Sequence, residues 1–230
     1  MDQPLGREIK LIMNKAFIFD MDGVLIDTER EWETNDDGGS AKVLGKDIHS
    51  KLGDLIGVAI NETYKRAVAL GYSVDYEEYR RRYDKEAAGI FSRAQITEGV
   101  EDLIKELLAR NFKLGLVSSS PKNWINFLLS RLSFSNKLEQ IVSLNDRDDL
   151  KPKPSPDGYL EALKSLKADA KKSFILEDSN LGIQAAKASG AYVIAFRGNL
   201  VQGYVQKGAD AYVEKMADII KLIETIQERT

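Results

Sequence analysis

Residues 17–29 read FIFDMDGVLIDTE, and the step from Phe19 to Asp20 decides how the chain is organised. Ala16 to Phe19 are apolar at every position, which a β-strand requires only when both of its faces are buried. Strands of that kind belong to parallel sheets covered by helices. The run stops at two acids, Asp20 and Asp22, separated by Met21 and followed by Gly23. In an open α/β sheet ligands gather beyond the carboxyl ends of the strands, so both acids stand where chemistry would be placed.

The same pattern recurs outward along the chain. KLGLV ends at Ser118, QIVSL follows Glu139, SFIL ends at Glu177 and YVIAF follows Ala191. Between these runs lie segments of helical spacing: Val100, Leu103, Leu107 and Leu108; Ile125, Leu128, Leu129 and Leu132; Ile219, Ile223 and Ile226. The alternation predicts an α/β domain built on a doubly wound parallel sheet. From about Thr28 to Ile96 no strand pattern is found. Ile48, Leu52, Leu55 and Ile56, then Ile60, Tyr64 and Val68, then Tyr76, Tyr79, Tyr83 and Ala87 repeat at helical spacing there, and Asp75 with Glu78 resembles a capping box. Asn35, Asp36, Asp37, Gly38 and Gly39 would break any helix and predict a loop. The expected organisation is a catalytic core of residues 13–27 and 97–230, an α-helical insertion of 28–96 after the first strand, and an extension, 1–12, ahead of Met13.

Composition narrows the function. The 230 residues carry 33 basic and 36 acidic side chains, 33 − 36 = −3, which lacks the basic footprint of a nucleic-acid binder. Cysteine is absent, so disulfides, thiolate nucleophiles and thiolate metal sites are excluded. No apolar run approaches a bilayer span, and the first residues contain no apolar core of signal-peptide length. A monomeric cytoplasmic protein, with neither membrane nor nucleic acid as partner, is the expectation.

Three strand ends carry unusual polarity: Asp20 and Asp22; Ser118, Ser119 and Ser120; Glu177 and Asp178. A lysine pair, Lys151 and Lys153, lies between the last two. Carboxylates drawn from distant parts of the chain, with no cysteine and no nearby histidine, fit a hard cation such as Mg²⁺. Each piece alone has an ordinary explanation. Asp-x-Asp-Gly closes turns, Ser120-Pro121 and Ser155-Pro156 read as helix starts, and Ser179 reads as the cap of a helix running to Gly190. Capping alone does not account for three strand ends that all offer phosphate- or metal-compatible groups.

FDMDGVLIDTE at residues 19–29, VSSSPKN at 117–123, KPSPD at 153–157 and ILEDSNLGIQAAKASGA at 175–191 resemble, in that order, the four motifs of the haloacid dehalogenase superfamily of phosphohydrolases. The resemblance is to the branch containing β-phosphoglucomutase and small phosphosugar phosphatases, and the helical insertion sits where that branch carries its cap. It implies that Asp20 is a nucleophile taking the phosphoryl group as an aspartyl phosphate, and that Asp22 is the general acid and base. It further implies Mg²⁺ held by Asp20, the backbone carbonyl of Asp22, and Asp178, with Glu177 orienting a metal-bound water. Ser118, Ser119 and Lys153 would bind phosphate, the KPxPD register favouring Lys153 over Lys151.

Other signatures are missing. No G-x-x-x-x-G-K-[ST] and no G-x-G-x-x-G after a strand is present, and the single histidine, His49, reads as a surface or packing residue. Trp32 and Trp124 read as packing residues, Trp32 also as a possible pocket floor. Mutases of the branch place a histidine and a cap arginine where this chain has Trp32 and Ile60, which weakens the mutase reading. The expected activity is Mg²⁺-dependent hydrolysis of a small phosphate monoester: a phosphosugar, polyol phosphate or nucleoside monophosphate. The alternatives are a β-phosphoglucomutase-type mutase and a non-catalytic protein of the same fold.

Overall fold

The computed structural model describes residues 13–33 and 38–228; the proposed extension 1–12 and positions 35–37 of the proposed loop lie outside them. Strands β1 (Lys15–Phe19), β2 (Phe112–Ser118), β3 (Leu138–Ser143), β4 (Phe174–Glu177), β5 (Tyr192–Phe196) and β6 (Ala211–Val213) form one parallel sheet in the order β3-β2-β1-β4-β5-β6. Strand order reverses between β1 and β4, where a crevice forms outside the carboxyl ends. Phe19 pairs with Leu116 and Leu176. Asp20 is therefore level with Glu177, and its N–H donates to Leu176 O at 2.9 Å.

Successive strand residues point to opposite faces, which is why β1 must be apolar throughout. Phe17 and Phe19 join Phe112, Leu114, Leu116 and Phe174 on one face. Helices α6 (Val100–Ala109), α7 (Lys122–Leu129) and α10 (Ala217–Gln227) contribute Leu103, Ile125 and Ile223 to that cluster. Ala16 and Ile18 join Val117, Ile175 and Val193 on the other, with Tyr159 and Leu163 of α8 (Asp157–Ser165) and Ile183 of α9 (Asn180–Ala188).

Between Glu29 and Arg93 the described residues form helices and loops: α1 (Glu29–Glu33), α2 (Gly39–Leu44), α3 (Lys46–Leu52), α4 (Ile60–Ala69) and α5 (Tyr76–Arg93). The chain enters and leaves this stretch through neighbouring segments, since Asp27 N donates to Gln95 O at 2.9 Å and Thr97 N to Leu25 O at 3.0 Å. No helix of the described residues is long and apolar enough to cross a membrane.

Local departures from the sequence reading have identifiable causes. Strand β6 is only three residues long, too short for a periodic signal. Leu55 and Ile56 lie in a loop before α4, not in a helix. Gly39 opens α2 instead of breaking it, because a Cβ there would lie 2.6 Å from the Trp32 ring and 2.9 Å from Ile90. Pro121 and Pro156, not the serines before them, occupy the N-cap positions of α7 and α8. The Ser155 hydroxyl donates to Asp157, and that of Ser120 is drawn to Asp22. Ser179 does cap α9, accepting from Gly182 N, and Asp75 caps α5 by accepting from Glu78 N. The carboxylate of Glu78 pairs with Arg81 and Arg82.

Phe17 is fully buried, with its ring 4.7 Å from that of Phe19 and 6.4 Å from those of Phe112 and Phe174. Phe17→Ala is expected to cost about 3–5 kcal/mol, read from the urea midpoint. A loss below about 1 kcal/mol would show that the sheet face collapses onto the gap.

Candidate active site

The site is assembled around one buried lysine. Lys153 Nζ donates to Asp20 Oδ1 at 2.5 Å and also to Glu177 Oε1, joining the end of β1 to the end of β4. Its side chain is 2% exposed, so the partners meet out of water. Lys151, the alternative in the pair, is exposed and uses its backbone N–H on Asp157.

Glu177 is fully buried and accepts from five donors. Besides Lys153 these are the Tyr159 hydroxyl at 2.7 Å, the N–H groups of Asp178 and Ser179 at 2.9 and 3.0 Å, and the Ser179 hydroxyl at 3.1 Å. The last three belong to the start of α9, where unpaired N–H groups and the helix dipole favour negative charge. Gly182 makes room for it: a Cβ there would sit 1.7 Å from Glu177 Oε1.

Asp22 is aimed by Thr28 Oγ1 at 2.6 Å and Ser120 Oγ at 2.7 Å, both donating to its carboxylate. Ser118 Oγ accepts from Ser120 N at 2.9 Å, bracing the turn after β2. Ser119 turns its hydroxyl toward the helical stretch and donates to Gly57 O at 3.0 Å. Gly57 has φ +74 and lies against Ser179, so a Cβ would fall 2.5 Å from Ser179 Oγ. One residue of the α3–α4 loop thus touches the ends of both β2 and β4.

Asp178 completes an acidic group. Ligand atoms of Asp20, Glu177 and Asp178 all lie within 4.8 Å of one another, and a Cβ on Gly23 would lie 2.0 Å from Asp178 Oδ2. Burial pushes the Asp20 and Asp178 carboxyls well above the usual carboxylate range; Lys153 opposes the shift, while Glu177 and other neighbouring acids add to it. Burial also raises Asp22, against its bonds from Thr28 and Ser120. Burial draws Lys153 down, but the Asp20 and Glu177 carboxylates outweigh it and hold it well above an ordinary lysine. With Asp22, four acids surround one ammonium, and the imbalance fits a divalent cation bound by oxygen.

A cavity of about 60 Å³ opens onto Asp20, Asp22, Ser118, Ser119 and Lys153. Trp32 and Tyr83 form part of its far wall, with Trp32 stacked on Trp124 at 5.0 Å and 13°. Trp32 therefore packs and lines the cavity at once. His49 lies on α3 and does not line it. Of the seven site residues read from the sequence, Asp20, Asp22, Ser118, Ser119 and Lys153 line the cavity, while Glu177 and Asp178 lie behind it, grouped with Asp20. Thr28, Tyr159 and Gly57 also belong to the site, and Ser120, which the sequence places at the polar end of β2, bonds Asp22. Thr28 and Ser120 were visible as hydroxyl neighbours of the motifs, whereas Tyr159 and Gly57 carried no signal beyond a helix register and a loop glycine.

The haloacid dehalogenase-like hydrolase family model matches residues 17–196, which contain every one of these groups. The chain belongs to this family. It is 29% identical over 218 residues to a phosphorylated carbohydrates phosphatase of Thermotoga maritima, covering 90% of this chain and 98% of that protein. It is 27% identical over 221 residues to a β-phosphoglucomutase of Bacillus subtilis, covering 89% and 91%. The crystal structure of a β-phosphoglucomutase from Clostridium difficile shares the fold at 24% identity and a TM-score of 0.71, covering 95% of this chain and all of that one.

The raised Asp178 carboxyl has a signed consequence. A group whose folded pKa lies above its unfolded value of about 3.9 stabilises the fold fully below that pH, and loses the contribution as pH rises through the folded value. In excess chelator, the stability of Asp178→Asn relative to the parent chain is therefore expected to grow as pH is raised from about 4 toward 7. Urea unfolding at a series of pH values checks this, and a difference independent of pH would show that Asp178 ionises without penalty.

Proposed function

We propose that this haloacid dehalogenase-like phosphatase hydrolyses small phosphate monoesters of carbohydrates or polyols through a covalent phosphoryl-aspartate. The observation that carries the reading is Asp20, held through Oδ1 by Lys153 and facing the same cavity as the independently braced Asp22. Lys153 leaves Oδ2 of Asp20 to attack phosphorus. Bond formation there expels the ester oxygen, which takes a proton from Asp22. The raised Asp22 carboxyl suits a group that must hold that proton until the leaving oxygen develops charge. In the second half, Asp22 accepts a proton from water as the water oxygen attacks phosphorus, the bond to Asp20 breaks, and inorganic phosphate departs. Splitting one displacement into two in this way is the ordinary benefit of a covalent nucleophile.

The Ser118 hydroxyl and the backbone N–H of Ser119 cradle the phosphoryl oxygens, and Lys153 balances their charge as well as that of Asp20. Mg²⁺, held by Asp20, Asp178 and the carbonyl of Asp22, would neutralise further phosphate charge and polarise the group under attack. Glu177, with five donors already, orients Lys153 and the metal's surroundings more than it competes as a ligand. Residues 28–96 serve as a cap over the core formed by 13–27 and 97–230, opening for substrate and closing to exclude water.

Asp20→Asn, nearly isosteric but unable to form the acyl phosphate, is expected to lower turnover about 1000-fold or more while the chain stays folded by circular dichroism. Activity within about tenfold of the parent would remove the covalent step. Excess EDTA is expected to abolish phosphate release and added Mg²⁺ to restore it; full turnover in chelator would count against the metal.

A further inference from the structure

Trp124 belongs to the first turn of α7, on the sheet side of the molecule, yet its indole is received by the helical stretch. It is 2% exposed and stacks on Trp32 of α1, and its ring lies 6.1 Å from that of Tyr83 and 6.3 Å from that of Phe91. Both of the last two stand on α5, about two turns apart, so one face of that helix meets the indole.

A buried indole must also place its N–H. Trp124 Nε1 donates to Asp84 Oδ1 at 2.7 Å, and Asn123 Nδ2 donates to the same oxygen at 3.0 Å. One carboxylate of α5 thus holds two successive residues of α7. Arg80, one turn earlier on α5, stands 3.7 Å from that oxygen. Trp32, Tyr83 and Trp124 line the cavity, whereas Asp84 does not. Stacking sets the spacing of two rings but defines an indole poorly within its own plane, while a hydrogen bond to a carboxylate is directional. Asp84 therefore decides which edge of Trp124 faces the cavity.

Resting on the phosphatase reading, we propose that Asp84 is a positioning residue for the substrate. It acts through Trp124, holding the aromatic wall against which the leaving group packs, and touches neither the substrate nor the reacting atoms. Contact with such a wall is made equally before and during the reaction, so its loss raises KM and spares kcat.

The test measures phosphate release, with Mg²⁺, from glucitol 6-phosphate and from acetyl phosphate, whose small leaving group makes far less of that contact. Asp84→Leu is expected to raise KM for glucitol 6-phosphate about tenfold with kcat within about threefold, and to leave kcat/KM for acetyl phosphate within about threefold. Asp84→Asn, whose side-chain carbonyl can still accept from Nε1, is expected to restore the parent KM. In Trp124→Phe, which lacks the N–H, adding Asp84→Leu is expected to change KM no further. The chain's two tryptophans both stand in this wall, so acrylamide quenching of their fluorescence reports on it without turnover. Quenching is expected to rise in Asp84→Leu and to return to the parent level in Asp84→Asn.

An unchanged KM for glucitol 6-phosphate, an equal rise for both substrates, or a rise without a change in quenching overturns the assignment and leaves the phosphatase reading standing. If Asp84→Leu does not fold, Trp124→Phe removes the same bond from its other side, and an unchanged KM there overturns the assignment equally. If the parent turns over acetyl phosphate alone, the wall receives no polyol and the assignment falls by itself. If the parent releases phosphate from neither substrate, the phosphatase reading fails and takes the assignment with it.

Discussion

Lys153 is held almost entirely out of water between Asp20 and Glu177, and much of the surrounding architecture follows from keeping it there. Burying an ammonium and two carboxylates is costly, and their mutual attraction offsets that cost only when the remaining lone pairs are also satisfied. Hence the donors gathered on Glu177 from the Tyr159 and Ser179 hydroxyls and from the N–H groups of Asp178 and Ser179 just ahead of α9, and hence the glycine at 182, where any side chain would displace the carboxylate. Two strand ends distant in sequence are locked side by side by a charge that neither strand supplies. Removing the lysine would leave two acids stranded in a dry interior, so the stability of both strand ends is tied to one atom.

The sheet supplies the other half of that constraint. Its order places β1 and β4 as neighbours at the reversal point, and the pairing of Phe19 with Leu176 makes Asp20 and Glu177 level. A one-residue slip would turn Asp20 to the opposite face and bring Phe19 to the crevice, so the apolar sides of both core clusters defend the register of the acids. Packing thus determines where charge sits, and charge gives that packing a use.

Five strands and the helical stretch were legible because their signals are local: apolar runs for the inner strands, a shorter Ile141–Val142 pair for the edge strand β3, and a recurring 3–4 spacing for helices. The acids were legible because each follows such a run immediately, as Asp20 follows Phe19 and Glu177 follows Leu176. What stayed hidden depends on long-range contact. Tyr159 looks like any core aromatic on α8 until Glu177 is seen beneath its hydroxyl, and Ser120 looks like a cap until Asp22 claims it. Gly39 looks like a helix breaker until Trp32 is found in the space a Cβ would need. Strand β6 was too brief to announce itself. Local pattern conveys the scaffold and the charged groups; the hydroxyls and glycines that tune them are read only in three dimensions.

The hydrogen-bonded pair formed where the chain leaves the sheet near Ile26 and returns near Ile96 has a further consequence. Departure and return are adjacent, so the sheet experiences everything between them as a single closed loop whose ends are already joined. The entropy of closing such a loop grows only slowly with its length. Helices can be lengthened, exchanged or rebuilt between those two points at little cost to the strands that hold the reacting groups. The molecule is in this sense modular: beyond this seam the helical stretch meets the sheet's helices and loops through side-chain contacts such as Trp32 on Trp124 and Ser119 on Gly57, which can be exchanged one at a time.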